Sequence, residues 1–285
     1  MPELKAFFSG VLCLCLLAGC SSEFLYNRVD RLAQVYIERY IDLDRDQSHS
    51  LKINLERLKE WHRHNELSEY QDFLNQIETD LQDNITPGSI AGWMSKARTA
   101  YLRVRDRAIP TLIEVAATLS PAQIEEFSAN LERRNRDLEK EYLSRDEAEF
   151  HKHIYEEMED RLSYWLGKLT DGQEQRLQQT SGRIERLDKQ WLAGRRSWQG
   201  GVINELQRKP GWQDRLKVLI INRTEYTNRD DIAANNRNEQ RIYTAVADVL
   251  NMRTDKQRQK LLKKLGEWQA NLASLQHTDK QSRKE

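Results

Sequence analysis

The chain has 285 residues, with 45 Lys+Arg set against 45 Asp+Glu, 32% charged and 38% hydrophobic residues. That length can bury a core, and a formal charge of zero with no basic excess or tail lacks the electrostatic footprint of a nucleic-acid binder. Gly (12) and Pro (5) are scarce, while the abundant Glu, Arg, Leu, Gln and Lys are good helix formers. The one β-branched run, KVLIIN at 217–222, is too isolated to build a sheet. The expected fold class is therefore all-α, a multi-helix bundle or elongated array of antiparallel helices.

Residues 1–19 have the layout of a secretory leader: Lys5 in a short basic start, then an apolar stretch at 6–17 that is short for a bilayer span. Leu17, Ala18 and Gly19 precede Cys20 as in the lipobox of bacterial lipoproteins, which assigns signal-peptidase recognition to those three residues and lipidation to Cys20. Removal of 1–19 takes Cys13 and Cys15 with it. The mature chain then has one cysteine, acylated with palmitate-type chains, and neither a disulfide nor a cysteine nucleophile is expected. Multiple acyl chains anchor firmly, whereas one binds only marginally. Ser21 after the cysteine, rather than Asp, points to outer-membrane sorting. The expected location is the inner leaflet of the outer membrane, facing the periplasm.

The expected division is a leader at 1–19, lipidated Cys20 with a two-serine tether at 20–22, one α-helical domain at 23–275 and a polar frayed tail at 276–285. Leu25, Val29, Leu32, Tyr36 and Tyr40 share one helical stripe, so the folded body starts close to the membrane. A recurring phrase then punctuates the chain: LDRDQ at 43–47, LSEYQ at 67–71, LSPAQ at 119–123 and LTDGQ at 169–173, with RTDKQ at 253–257 lacking the leucine. It has the form of a capping box, in which the cap side chain accepts an amide of the first turn and the Gln three residues on accepts the cap's own amide. The pairs are Asp44 with Gln47, Ser68 with Gln71, Ser120 with Gln123, Thr170 with Gln173, and Thr254 with Gln257. Pro121 suits the first helical position, and Thr86 before Pro87 is a further cap.

These starts predict helices at 23–42, 45–65, 68–83, 87–108, 110–118, 121–142, 145–167, 171–199, 202–208, 212–222, 229–251 and 255–275, with Pro110 kinking or splitting the fourth from the fifth. Leu177, Ile184, Trp191 and Trp198 recur every seven residues, with Leu187 between. Thr180 and Gly194 are poor zipper residues, so this stripe is expected inside the bundle rather than in a dimer seam.

No catalytic residue nominates itself. No histidine has Glu three positions before it, and His49 has only Asp46. The pairs His62/His64 and His151/His153 are spaced i,i+2 and point apart on a helix. Glu147–His151 and Glu149–His153 are spaced as ion pairs on a solvated face. No metal site and no cofactor are expected, and no Walker loop, His-Glu-x-x-His or Gly-x-Ser-x-Gly motif is present. Carboxylate runs such as EEMED at 156–160 suit a wet helix face, and the seven tryptophans are spread singly as core anchors.

The lipobox at 17–20, YIDLDRDQ at 40–47, WHRHNELSEY at 61–70, LSPAQ at 119–123, Asn135 within ERRNRDLEKEYL, and LTDGQ with the Trp191–Trp198 region together resemble a family of proteobacterial lipoproteins defined only as a domain of unknown function. That resemblance implies a helical fold and an envelope address, and no active-site residues. LSPAQ and LTDGQ also resemble the LTxxQ motif of small periplasmic proteins of the Spy and CpxP group, although capping explains the phrase without shared function. The expected activity is that of a non-enzymatic binding or structural lipoprotein, held to the membrane by its lipid and meeting a protein partner in the envelope, with no nucleic-acid partner. A periplasmic holdase-type chaperone or stress-related protein is the alternative, and a cell-wall-acting enzyme the second.

Overall fold

The computed structural model describes residues 25–223 and 228–282, with side chains to 276. The leader, Leu17, Ala18, Gly19, Cys20 and the two-serine tether lie outside the described residues. Among the described residues there are helices and no strand. They are α1 (Val29–Glu38), α2 (Arg45–Asn65), α3 (Leu67–Asp80), α4 (Pro87–Thr118), α5 (Pro121–Leu143), α6 (Glu147–Leu166), α7 (Asp171–Ser181), α8 (Asp188–Glu205), α9 (Trp212–Ile221), α10 (Arg229–Asn251) and α11 (Asp255–Ser282). The last helix continues past 275 into the segment expected to fray.

Two hydrophobic cores share one long helix. The 32 residues of α4 span about 48 Å. Its N-terminal part brings Ile90, Trp93 and Met94 to a core formed with α3, α6, α7, α10 and α11, where Leu166, Leu177, Ala245 and Leu265 are buried. Its C-terminal part brings Ile113 and Ala116 to a second core with Leu51, Leu55, Ile124, Trp212 and Leu216 from α2, α5 and α9. A smaller cluster joins α5 to α8 through Leu138, Tyr142, Trp191 and Leu192. Pro110 lies within α4 and does not split it. The proline is exposed, so the carbonyl its missing amide leaves behind can be hydrated, and both cores hold the helix on either side of it.

The repeated phrase is put to a use that capping alone does not require. Asp44, Ser120 and Thr170 each accept the amide three residues on, and Gln47, Gln123 and Gln173 each accept the cap's own amide at 2.9–3.0 Å. Thr254 and Gln257 do the same. The glutamines then meet in reciprocal pairs. Gln47 donates to Gln123 at 3.1 Å and Gln123 returns a bond of 2.7 Å; Gln173 donates to Gln257 at 3.1 Å and Gln257 returns one of 2.9 Å. The second N–H of each amide goes to a backbone carbonyl on the far chain: Thr118, Asp42, Val249 and Lys168 respectively. Each carboxamide has two donors and two acceptor positions, and every one is filled. Such a side chain can be buried at little cost, and Gln173 is 0% exposed. The α2 and α5 starts are thus pinned together at one core, and the α7 and α11 starts at the other.

Two expectations are corrected. Ser68 is not a cap and Gln71 does not complete a box. Glu66 stays in the α-helical region, its amide bonds His62 O and its carbonyl accepts Tyr70 N, each at 2.9 Å. Ser68 is the second residue of α3, one place past the helix start, so its side chain is out of position to cap it. The single helix expected at 171–199 is broken at 182–187, and 202–205 belongs to α8 instead. The break is held from 53 residues away: Asn238, fully buried, accepts Glu185 N at 2.9 Å and donates to Glu185 O at 2.8 Å. The heptad stripe consequently serves three neighbourhoods. Leu177 and Ile184 enter the first core, Trp191 packs on Tyr142, and Trp198 Nε1 bonds Leu219 O. One capping box escaped sequence reading, Asp146 with Glu149 at the start of α6.

Gln173→Ala should destabilise the protein by roughly 3 kcal/mol in urea unfolding, because it orphans the Gln257 amide and the Val249 carbonyl. Adding Gln257→Ala should cost less than additivity requires, by about 1–3 kcal/mol. Ser68→Ala, the control, should stay within about 0.5 kcal/mol of wild type.

Candidate functional site

A buried cluster of titratable side chains lies at the α2–α3 joint. The helical phase of α2 turns His62 inward and leaves His64 exposed, which separates the two members of that i,i+2 pair. Tyr26, in the turn before α1, meets His62 Nδ1 at 2.9 Å, and Tyr70 meets His62 Nε2 at 3.1 Å. Beside them Glu66, 1% exposed, takes a bidentate bond from Arg103 of α4, at 2.8 and 2.7 Å. Leu67 and Leu275 close the apolar wall around Tyr26.

The electrostatics follow from burial. Desolvation pushes the His62 imidazolium down to about 4 from its ordinary 6.5, against the opposing pull of the Glu66 charge. Burial likewise pushes the Tyr26 phenol up to about 12, with the Arg63 cation working the other way. Arg103 is held above its ordinary value chiefly by its bonds to Glu66. His62 is thus a neutral ring at pH 7, one nitrogen donating and the other accepting, and both are occupied by phenols. None of Tyr26, His62 and Tyr70 lines the groove described next. The effect of the cluster is to tie the start of the body, α2, α3 and α4 into one joint.

An open groove of about 340 Å³ runs between α2 and α4, lined by Asp46, His49, Ser50, Ile53, Asn54, Arg57 and Glu114. Asn54 donates to Glu114 across it at 2.8 Å. Asp46 and His49 sit on its wall without a third ligand, and among the described residues no group of three His, Cys, Asp or Glu is arranged to hold a metal ion.

The other candidate residues are separated. His151 Nε2 is 3.3 Å from Glu147, while its Nδ1 meets Ser181 O at 2.6 Å. His153 Nε2 lies 3.2 Å from Glu157, and the Glu149 carboxylate accepts the Asp146 amide in the capping box. Trp165 and Trp268 meet at a tilt of 53° with ring centroids 4.9 Å apart, Trp93 donates to Asp80, and Arg107 lies over Trp61. The tryptophans are dispersed as anchors and do not converge on a common groove. Glu185, hydrogen-bonded by Arg237 and Arg241, is held down at about 2.

A surface feature appears at the start of the body. The stripe Val29, Leu32 and Tyr36, joined by Val35, faces outward on α1, with Leu32 52% and Tyr36 58% exposed. The opposite side of α1 packs inward through Ala33 and Ile37. Sequence periodicity identified the stripe but not its direction. The hydrogen-bonded cluster at His62 is not legible in WHRHNELSEY alone, because its partner Tyr26 is 36 residues away.

A family model described as a family of unknown function, DUF6279, matches residues 39–231, more than half of the chain, and the chain belongs to that family. The match contains the Gln47–Gln123 pair and the His62 joint and stops short of Gln257 and Cys20. Comparison with curated proteins and comparison with solved structures each found no match.

The unfolded chain takes up a proton at His62 below its ordinary value, and the folded chain resists until about 4. The contribution of this group is therefore complete above pH 6.5 and is lost as pH falls from 6.5 to 4, about 3 kcal/mol in all. Urea unfolding across that window should show the loss in wild type and a flatter profile in His62→Gln.

Proposed function

We propose that this member of DUF6279 is a lipid-anchored protein of the bacterial cell envelope, acylated on Cys20, facing the periplasm from the outer membrane, and acting as a non-enzymatic helical body that binds an envelope protein. The carrying observation is the sequence Leu17-Ala18-Gly19-Cys20 behind a basic start and a short apolar run. The helical body begins by Leu25, so the anchor and the body are close neighbours.

Two structural features support a binding rather than a catalytic role. The buried titratable groups are engaged in holding helices to one another: Glu66 by Arg103, and His62 by two phenols. The glutamines of the phrase that suggested a holdase are engaged in internal pairs, so that phrase gives a chaperone reading little support.

Intact-mass measurement of the mature protein should find a chain that starts at Cys20 and carries acyl groups. Cys20→Ser should abolish the acyl mass and leave the uncleaved precursor. An unmodified wild-type chain, or normal cleavage of Cys20→Ser, would overturn the reading.

A further inference from the structure

We infer that the outward face of α1 is a bilayer-contact surface, with Val29, Leu32, Val35 and Tyr36 entering the boundary between head groups and acyl chains of an anionic membrane. This deepens the anchoring proposal and rests on it. At helical spacing these four side chains occupy one side of α1, and all four are exposed. A short helix with one apolar side turned outward and another packed on its own protein is half of an interfacial helix.

The distance to the lipid selects the occupant. Residues 21–24 separate Cys20 from Leu25. Even a fully extended chain of that length reaches about 17 Å, so an acylated Cys20 holds the start of the body within that distance of the bilayer. A partner protein would have to enter the same narrow space.

The charges around the stripe are of the fitting sign. Arg31 of α1 and Arg39, which follows its last residue, are exposed and have no carboxylate partner among the described residues. The acidic residues of the helix are engaged with the protein itself: Asp30 pairs with Lys59 at 3.0 Å, and Glu38 accepts from Gln34 and Ser48. The rings of Tyr36 and Tyr40 meet edge-on at 5.6 Å, and the charges of Arg195, half-buried, and Arg134, exposed, act on the Tyr36 phenol. Arg195 donates to Asn135 at 2.9 Å and lies over Trp191, again without a carboxylate partner. Burial and the neighbouring Arg223 lower the Arg195 guanidinium from its ordinary value, which is the environment an added phosphate oxyanion would relieve. Arginines beside apolar and phenolic side chains sit where head-group phosphates meet the acyl region.

The test uses the full-length, processed protein, whose own sulfur is blocked by lipid. Val35→Cys and Leu32→Cys each provide a single thiol for a polarity-sensitive dye, with Lys152→Cys, an exposed position on α6, as control. On vesicles of phosphatidylethanolamine and phosphatidylglycerol, nitroxide-labelled lipid should quench the dye at 32 and 35 several-fold more than at 152. Leu32→Asp combined with Tyr36→Asp should remove the quenching at 35 while the protein still sediments with vesicles through its acyl chains. A dye at 35 that stays open to aqueous iodide on vesicles, with Cys20 acylated, overturns the α1 inference and leaves the anchor intact. Shielding that rises with protein concentration in the absence of vesicles also overturns it, in favour of a second copy on this face. A mature mass without acyl groups overturns the anchor. Quenching that persisted in that unacylated protein would keep the bilayer face, and its absence would end both readings.

Discussion

The reciprocal glutamine pair is the interaction on which the architecture turns. A carboxamide in a core is costly unless both halves of it are bonded. Here each oxygen takes one amide from its own helix start and one from its partner, and each nitrogen gives one bond to the partner and one to a distant carbonyl. The same geometry recurs with Gln173 and Gln257 at the other core. Two helix starts that need polar partners satisfy each other, and register between elements 76 and 84 residues apart is specified by bonds that a one-turn slip would break. Between these two clamps, α4 runs as the common strut.

Local signals in the sequence were legible where the physics is local. The caps at Asp44, Ser120, Thr170 and Thr254 need only residues within one turn, and they stand where the spacing puts them. The all-α class follows from composition in the same way. Features set by distant contacts were not legible. Ser68 has the spacing of a cap, but α3 already begins at Leu67, and Glu66 rather than Ser68 stands at its start. The break at 182–187 depends on Asn238, and the continuity of α4 through Pro110 depends on packing at both ends. That one capping glutamine meets another, and which meets which, is decided by the tertiary fold.

The same economy bears on function. Side chains that would otherwise suggest chemistry, the buried histidine, the buried glutamate and the glutamines, are engaged in linking one helix to the next. Four exposed apolar side chains, Val29, Leu32, Val35 and Tyr36, fall together on α1, the helix nearest Cys20 in the sequence. On the proposed reading, the interior provides rigidity, and the face beside the lipid orients that rigid body on the membrane.

The central claim is that the glutamine pairs, and not the individual caps, hold the helix starts. Amide hydrogen exchange tests it most directly. The backbone amides of Asp44, Ser120, Thr170 and Thr254 should exchange as slowly as those in the two cores, and Gln257→Ala should release Thr170, whose own cap is untouched, along with Thr254. Fast exchange at these four amides in the native protein, or release of Thr254 alone in the variant, would contradict it.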